Sequence, residues 1–267
     1  MSPKINSAQQ DAARKVAALQ PGALPSAALT APLTVPIIQY HMIDFPSPES
    51  RVRGGFTPPR RFARQMGHLK KRGFTFYTAA ELLEYFRANS AFPPRGLAIT
   101  FDDGCADNYI NAFPVLRELG IRATMFVVPS CIGETNGKTL PAGEPPRTHF
   151  TADQMLEMSK LGIEFGSHSM NHRLLNQITL REARYEIESA KTYLEDLLQK
   201  PCKTFAYPAG YYTPEVQSVI QDAGHTCAFS TVYGPKDRVD LFAINRMEIF
   251  RRDRFLCQFA RKIRQLE

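Results

Sequence analysis

The chain has 267 residues, 43% apolar and 22% charged, with a formal net charge of +7. That length permits one large α/β domain, the composition is that of an ordinary globular protein, and no run approaches the eighteen or so apolar residues of a transmembrane helix. The basic balance suits anionic partners, but the Lys and Arg are scattered and no helix-turn-helix, zinc-finger or RRM pattern occurs, so nucleic acid is not an expected partner.

Residues 1–34 read as an extension and 35–267 as the folded domain. Within the extension, Ser7 to Leu19 could form a short helix, with Ser7 and Gln10 as a capping box, before an Ala/Pro-rich linker from Pro21 to Pro36. The N-terminus lacks the apolar core and early positive cluster of a signal peptide. The five cysteines are irregularly spaced with no CxxC, which argues against a thiolate zinc site and for a reducing compartment. Together these set the expected location as cytoplasmic.

From Val35 strands and helices alternate. Pro36 to His41 reads as a strand, Pro58 to Lys71 as a helix with its prolines early, and Phe74 to Tyr77 as a strand. Thr78 and Glu81 box a helix to about Asn89, Leu97 to Phe101 is a strand, and Tyr109 to Leu119 a helix ended by Gly120. Ala123 to Val128 is a strand, and an irregular stretch from Pro129 to about Phe150 is long enough to suggest function. Thr151 with Gln154 and Thr179 with Glu182 box two further helices, on either side of a strand at Ile163 to Gly166. A strand at Lys203 to Tyr207, a helix at Thr213 to Ala223, strands at Thr226 to Ser230 and Ala243 to Ile249, and a helix at Asp253 to Gln265 complete the pattern. This alternation predicts a parallel α/β architecture. With no GxGxxG or Walker sequence, a distorted or incomplete barrel is favoured over a nucleotide-binding fold.

Function in such barrels sits at the C-terminal ends of strands, and there the chemistry-bearing residues collect. Thr100-Phe101-Asp102-Asp103-Gly104 places two carboxylates at a strand end, where each needs a partner, a proton or a metal. A Gly-terminated turn can swing both toward one cavity, with Asp103 on a metal and Asp102 abstracting a proton; the plainer alternative is a helix N-cap. Ser167-His168-Ser169-Met170-Asn171-His172 supplies two imidazoles that could chelate one ion from a helix or a turn, or could be two solvated loop histidines. Asp103, His168 and His172 together make three protein ligands, the number of a catalytic zinc with an open position. The loop Tyr207-Pro208-Ala209-Gly210-Tyr211 reads as a shaped wall for sugar rings, or as an ordinary strand-to-helix turn.

TFDDG (100–104), SHSMNH (167–172) and FAYPAG (205–210), in this order, resemble the polysaccharide deacetylases of the NodB-homology type, carbohydrate esterase family 4. VPIIQYH (35–41), FARQMGHLKKRGF (62–74) and NAFPVLRELGIRATMFV (111–127) support the resemblance, which spans roughly Val35 to Ile249 and is strongest for the subgroup acting on poly-N-acetylglucosamine. It implies a distorted (β/α)7 barrel and a divalent metal, usually Zn2+, held by Asp103, His168 and His172. It also implies Asp102 as general base, an acetylated saccharide as substrate, and a backbone N–H near Ala209 for the oxyanion.

The chain departs from the family pattern in three places. Ala206 and Ala209 stand where many members carry arginine and tyrosine, there is no tryptophan, and no histidine follows His225. Arg246 is the expected replacement for the arginine that restrains the base, and His41 for the acid. These departures keep open a saccharide-binding protein without turnover, and the same fold leaves open a hydrolase of cyclic amides or ureides, against which the complete metal set counts. The basic segment 251–264 reads as a helix packed on the barrel, or as a contact for anionic lipid or a lipid-linked sugar through Phe255, Phe259 and Ile263. The sequence specifies no oligomeric state.

Overall fold

A computed structural model describes residues 35–141, 143–231, 239–250, 253 and 255–266. The helix expected at 7–19, the linker up to residue 34, and Arg251, Arg252 and Arg254 lie outside the described residues.

Six strands run parallel around the centre: β1 (Ile37–Tyr40), β3 (Gly96–Phe101), β4 (Thr124–Val127), β7 (Glu164–Ser167), β8 (Thr204–Ala206) and β9 (Cys227–Ser230). The segment after β9 closes the ring. Its first half, β10 (Ile244–Asn245), pairs with β9, and its second half, β11 (Met247–Glu248), pairs with β1. The single strand expected at 243–249 is thus split at Arg246, where it changes neighbours. A further strand, β2 (Thr75–Tyr77), pairs with the first half of β3, while β4 pairs with its second half. This wedge at the lower end makes the barrel irregular. The result is the expected distorted, nearly closed (β/α)7 barrel.

Strand residues divide between two apolar regions, which explains their near-continuous hydrophobic runs. Ile38, Tyr40, Ile99, Phe101, Met125 and Val127 pack outward. They meet α1 (Pro59–Lys71), α3 (Phe113–Leu119), α4 (Ala152–Lys160) and α7 (Leu256–Ile263). Ile37, Ala98, Phe126, Ala206, Phe229 and Ile244 cluster within the ring. Gly166 has to lack a side chain there, because a Cβ would stand 2.5 Å from the Phe126 ring. The expected capping boxes form at Thr78/Glu81, Thr151/Gln154 and Thr179/Glu182, opening α2 (Ala79–Asn89), α4 and α5 (Leu180–Leu198). Helix α6 (Pro214–Asp222) precedes β9.

The helix expected at 109–119 is regular only in α3, and a π-helical turn, Asn108–Ala112, precedes it. Pro114 has no N–H to donate into that turn, which favours the wider winding. The stretch 129–150 contains a short antiparallel pair, β5 (Thr135–Asn136) and β6 (Arg147–Thr148). Helix α7 is shorter than expected, and its Phe259 and Ile263 are buried in the core. The proposed lipid face is therefore already occupied by the barrel, and of its apolar residues only Phe255 stays exposed. No helix among the described residues is long and apolar enough to cross a membrane.

Candidate metal centre and active site

Three loops at the C-terminal ends of β3, β7 and β8 carry all the expected residues but His41 and Arg246, and all three are conformationally unusual. Of seven non-glycine residues with positive φ among the described residues, four fall here: Asp103, Ser169, His172 and Ala209. Such conformations cost free energy and persist only where surrounding contacts enforce them, commonly at functional sites. Gly104, at φ +72°, lies so close to β4 that a Cβ would be 3.0 Å from Val127 Cγ1. Consecutive left-handed residues at Asp103 and Gly104 turn the chain sharply after β3.

That turn brings Asp103 Oδ1 to 3.6 Å from His168 Nε2 and 3.5 Å from His172 Nε2. Ligand atoms at about 2.0–2.1 Å from a tetrahedral zinc are about 3.3 Å apart, so Asp103 Oδ1 stands at nearly that spacing from each imidazole, and all three atoms lie within 4.8 Å of one another. Among the described residues this is the one His/Cys/Asp/Glu cluster with such spacing. The backbone carbonyl of Ala206, 2.7 Å away, accepts from His168 Nδ1–H, which leaves the Nε2 lone pair facing Asp103. Burial pushes the His168 imidazole down to about 4 despite the nearby Asp102 carboxylate, so it is neutral and able to ligate at ordinary pH. The histidines do not share a helix face; a turn with positive φ at Ser169 and His172 brings them together, their ring centroids 4.9 Å apart.

Asp102, beside this cluster, is 2% exposed. Arg246 donates to both of its oxygens, from Nη1 to Oδ1 and from Nη2 to Oδ2, each at 2.7 Å. Gln39 Nε2 donates to Oδ2 at 2.8 Å. Burial alone would raise the Asp102 carboxyl, but the Arg246 guanidinium, with His168 and His41, holds it well below the usual carboxylate range. Arg246 is fully buried, its guanidinium lying against the Phe126 and Phe229 rings that fill the ring of strands below it.

His41 follows β1 and remains partly exposed, with Nδ1 3.7 Å from Glu248 Oε1. The β8 loop is placed differently from the wall expected of it. Tyr207 is buried, donates its hydroxyl to the Phe242 carbonyl at 2.8 Å and stacks on Tyr212, so its ring belongs to the core. Pro208 and Gly210 are also buried, whereas Ala209 is exposed and Tyr211 is 56% exposed.

Sequence reasoning missed Gln39, Glu186 and Glu248. Gln39 was visible as a polar interruption in an apolar strand. Glu186 falls on the buried stripe of α5 with Ala183, Ile187, Ala190 and Leu194. Glu248 gave no signal, because its role depends on β11 pairing beside β1.

A parallel barrel with a two-histidine, one-aspartate cluster and a separate clamped carboxylate at its C-terminal face is the layout of a hydrolase. A family model described as polysaccharide deacetylase matches residues 89–228. The chain is 30% identical over 199 residues to the poly-beta-1,6-N-acetyl-D-glucosamine N-deacetylase of Staphylococcus aureus, covering 71% of this chain and 66% of that protein. With the Bacillus subtilis protein YxkH it shares 28% identity over 219 residues, covering 82% and 72% respectively. The Streptococcus pyogenes deacetylase PplD, solved with acetate, superposes with a TM-score of 0.75 at 25% identity, covering 87% of this chain and 99% of that one. IcaB from Ammonifex degensii, at 24% identity and a TM-score of 0.71, shares the fold over 85% of this chain and 95% of its own. The chain belongs to the polysaccharide deacetylase family.

Proposed function

We propose that this protein is a metal-dependent deacetylase that hydrolyses the N-acetyl group of an acetamido sugar, in a polysaccharide or its precursor, and releases acetate. The observation that carries the proposal is the pairing of two arrangements in one cavity. Asp103, His168 and His172 are spaced for a single ion, and Asp102 is held ionised beside them but outside that ligand set. The similarity to the staphylococcal N-deacetylase supports the substrate class.

The donor set of one carboxylate and two imidazoles fits zinc. When bound, the ion would supply a Lewis acid for the acetyl carbonyl and lower the pKa of a water. Asp102 accepts the proton of the attacking water. Oδ2 already accepts from both Arg246 and Gln39, so Oδ1, with one donor, is the oxygen with room for that proton. The bidentate Arg246 contact fixes the plane of the carboxylate. The N–H groups of Gly210 and Tyr211 donate to the Tyr207 and Pro208 carbonyls, and Pro208 has none, which leaves Ala209 as the donor of that turn for the developing oxyanion. His41, with the Glu248 carboxylate 3.7 Å from its Nδ1, protonates the departing amine. Ala209 and the exposed Tyr211 ring provide the wall for the sugar.

The test is acetate release from N-acetylglucosamine oligomers by metal-stripped protein titrated with zinc. Release should rise to a plateau near one equivalent of zinc, and His41→Ala should fall about 10²–10⁴-fold below the parent. Release that is indifferent to zinc would overturn the metal-dependent reading. Full turnover by His41→Ala would remove its assignment as the acid.

A further inference from the structure

We infer that Glu186 is a positioning residue that sets the metal affinity of the site by clamping Asn171, between the two histidines. The inference rests on the reading of Asp103, His168 and His172 as metal ligands.

Glu186 lies on α5, 2% exposed, and spends both carboxylate oxygens on one neighbour. Asn171 donates its backbone N–H to Oε2 at 2.7 Å and its Nδ2–H to Oε1 at 2.8 Å. The backbone carbonyl of Glu186 also accepts from Met170 N–H at 3.0 Å, so the helix holds two successive residues of the loop. Around them the backbone is left-handed at Ser169 and His172, a conformation L-residues adopt only when held. An apolar side chain would suit this buried face of α5 better, since a buried carboxylate is costly without strong donors. Here its donors come from the segment that must deliver His172 Nε2 to within reach of Asp103. The clamp thus builds the geometry of the ligands before any ion arrives, as outer-shell partners do at metal sites.

The recognition is specific: a carboxylate on the helix, and an amide plus a backbone N–H on the loop. Asn171→Asp would set a half-buried carboxylate against the buried one of Glu186. Adding Glu186→Gln to it would restore a complementary pair, with the glutamine amide donating to the new carboxylate and its carbonyl still accepting from the backbone N–H of residue 171.

Zinc affinity of the full-length protein, measured by competition with a chromophoric chelator, tests this without reference to turnover. Asn171→Asp should bind zinc about 10–100-fold more weakly than the parent, and the double variant should recover most of that loss. If Asn171→Asp does not fold, Asn171→Ala, which deletes only the side-chain donor, should show weakened zinc binding with an unchanged circular dichroism spectrum. Parental zinc affinity in these folded single variants, or a double variant no better than Asn171→Asp, would overturn the clamp. A parent chain that binds no zinc would instead overturn the metal-site reading beneath it.

Discussion

Two carboxylates cap opposite ends of the same ring of strands, and they are treated in opposite ways. At the upper end Asp102 faces Arg246, a buried cation with two short hydrogen bonds, and stays ionised. At the lower end the half-buried Glu164 accepts from Thr124 Oγ1 at 2.7 Å, Thr204 Oγ1 at 2.9 Å and the Ala80 N–H at 3.1 Å, all neutral donors. Burial raises its carboxyl, and those donors offset only part of the effect. The upper arrangement keeps a carboxylate charged in a dry site, whereas the lower one ties three strands to the start of a helix. A buried carboxylate is therefore not in itself a sign of chemistry; a matched cation and a neighbouring ligand cluster are.

The contrast fails if the upper pair proves dispensable. Asp102→Asn should lower turnover about 10²–10⁴-fold while leaving zinc content intact, and retention of more than a tenth of parental activity would break the assignment. Next in size is Arg246→Met, which strands the Asp102 charge and should destabilise the fold by about 3–5 kcal/mol in urea unfolding at pH 7. Its pH dependence carries a sign. In the parent, Asp102 is more acidic folded than unfolded, so the pair's stabilisation is full above the unfolded value of about 3.9 and lost as pH falls through the lower folded one. Without the cation, burial pushes the Asp102 carboxyl up, so the variant should lose that dependence and instead gain stability as pH falls.

His225, buried near the lower end with neither ring nitrogen hydrogen-bonded, sharpens the comparison. Burial, reinforced by Lys191, pushes its imidazole down to about 3. The unfolded chain therefore binds the extra proton first, and stability should fall as pH drops from about 6.5 toward 3, by a few kcal/mol in total. His225→Phe should flatten that fall in thermal melts, and an unchanged pH profile would show that the ring is solvated. The smallest effect is expected at Glu164→Gln. Because the carboxyl is raised in the folded state, its contribution is present at low pH and lost as pH rises, so the neutral amide should stabilise the protein by up to about 1 kcal/mol at pH 7. Turnover should not change; a large loss would give the lower end a role in chemistry.

The sequence by itself determined the alternating strands and helices, the three capping boxes and which residues form the Asp103, His168 and His172 cluster. Those features are local: a period, a cap or a strand-end motif needs only a few neighbouring residues. Asp102 and His168 could be singled out because each stands at the end of an apolar strand run, and Asp103 and His172 by their spacing from them. Tyr207 misled for the same reason, since nothing local says which side of a strand end a ring will take, and packing against Tyr212 and the Phe242 carbonyl decided it. Arg246 was legible only as a candidate, because its contact with Asp102 joins residues 144 apart in sequence. Tertiary structure alone decided that the last strand would break at Arg246, that Gln39 would donate to the second oxygen of Asp102, and that Glu186 would accept from Asn171 in the histidine loop. The break at Arg246 depends on closing the ring of strands, the Gln39 contact on β1 pairing beside β3, and the Glu186 contact on α5 packing against the loop after β7; each sets together residues that no local pattern links.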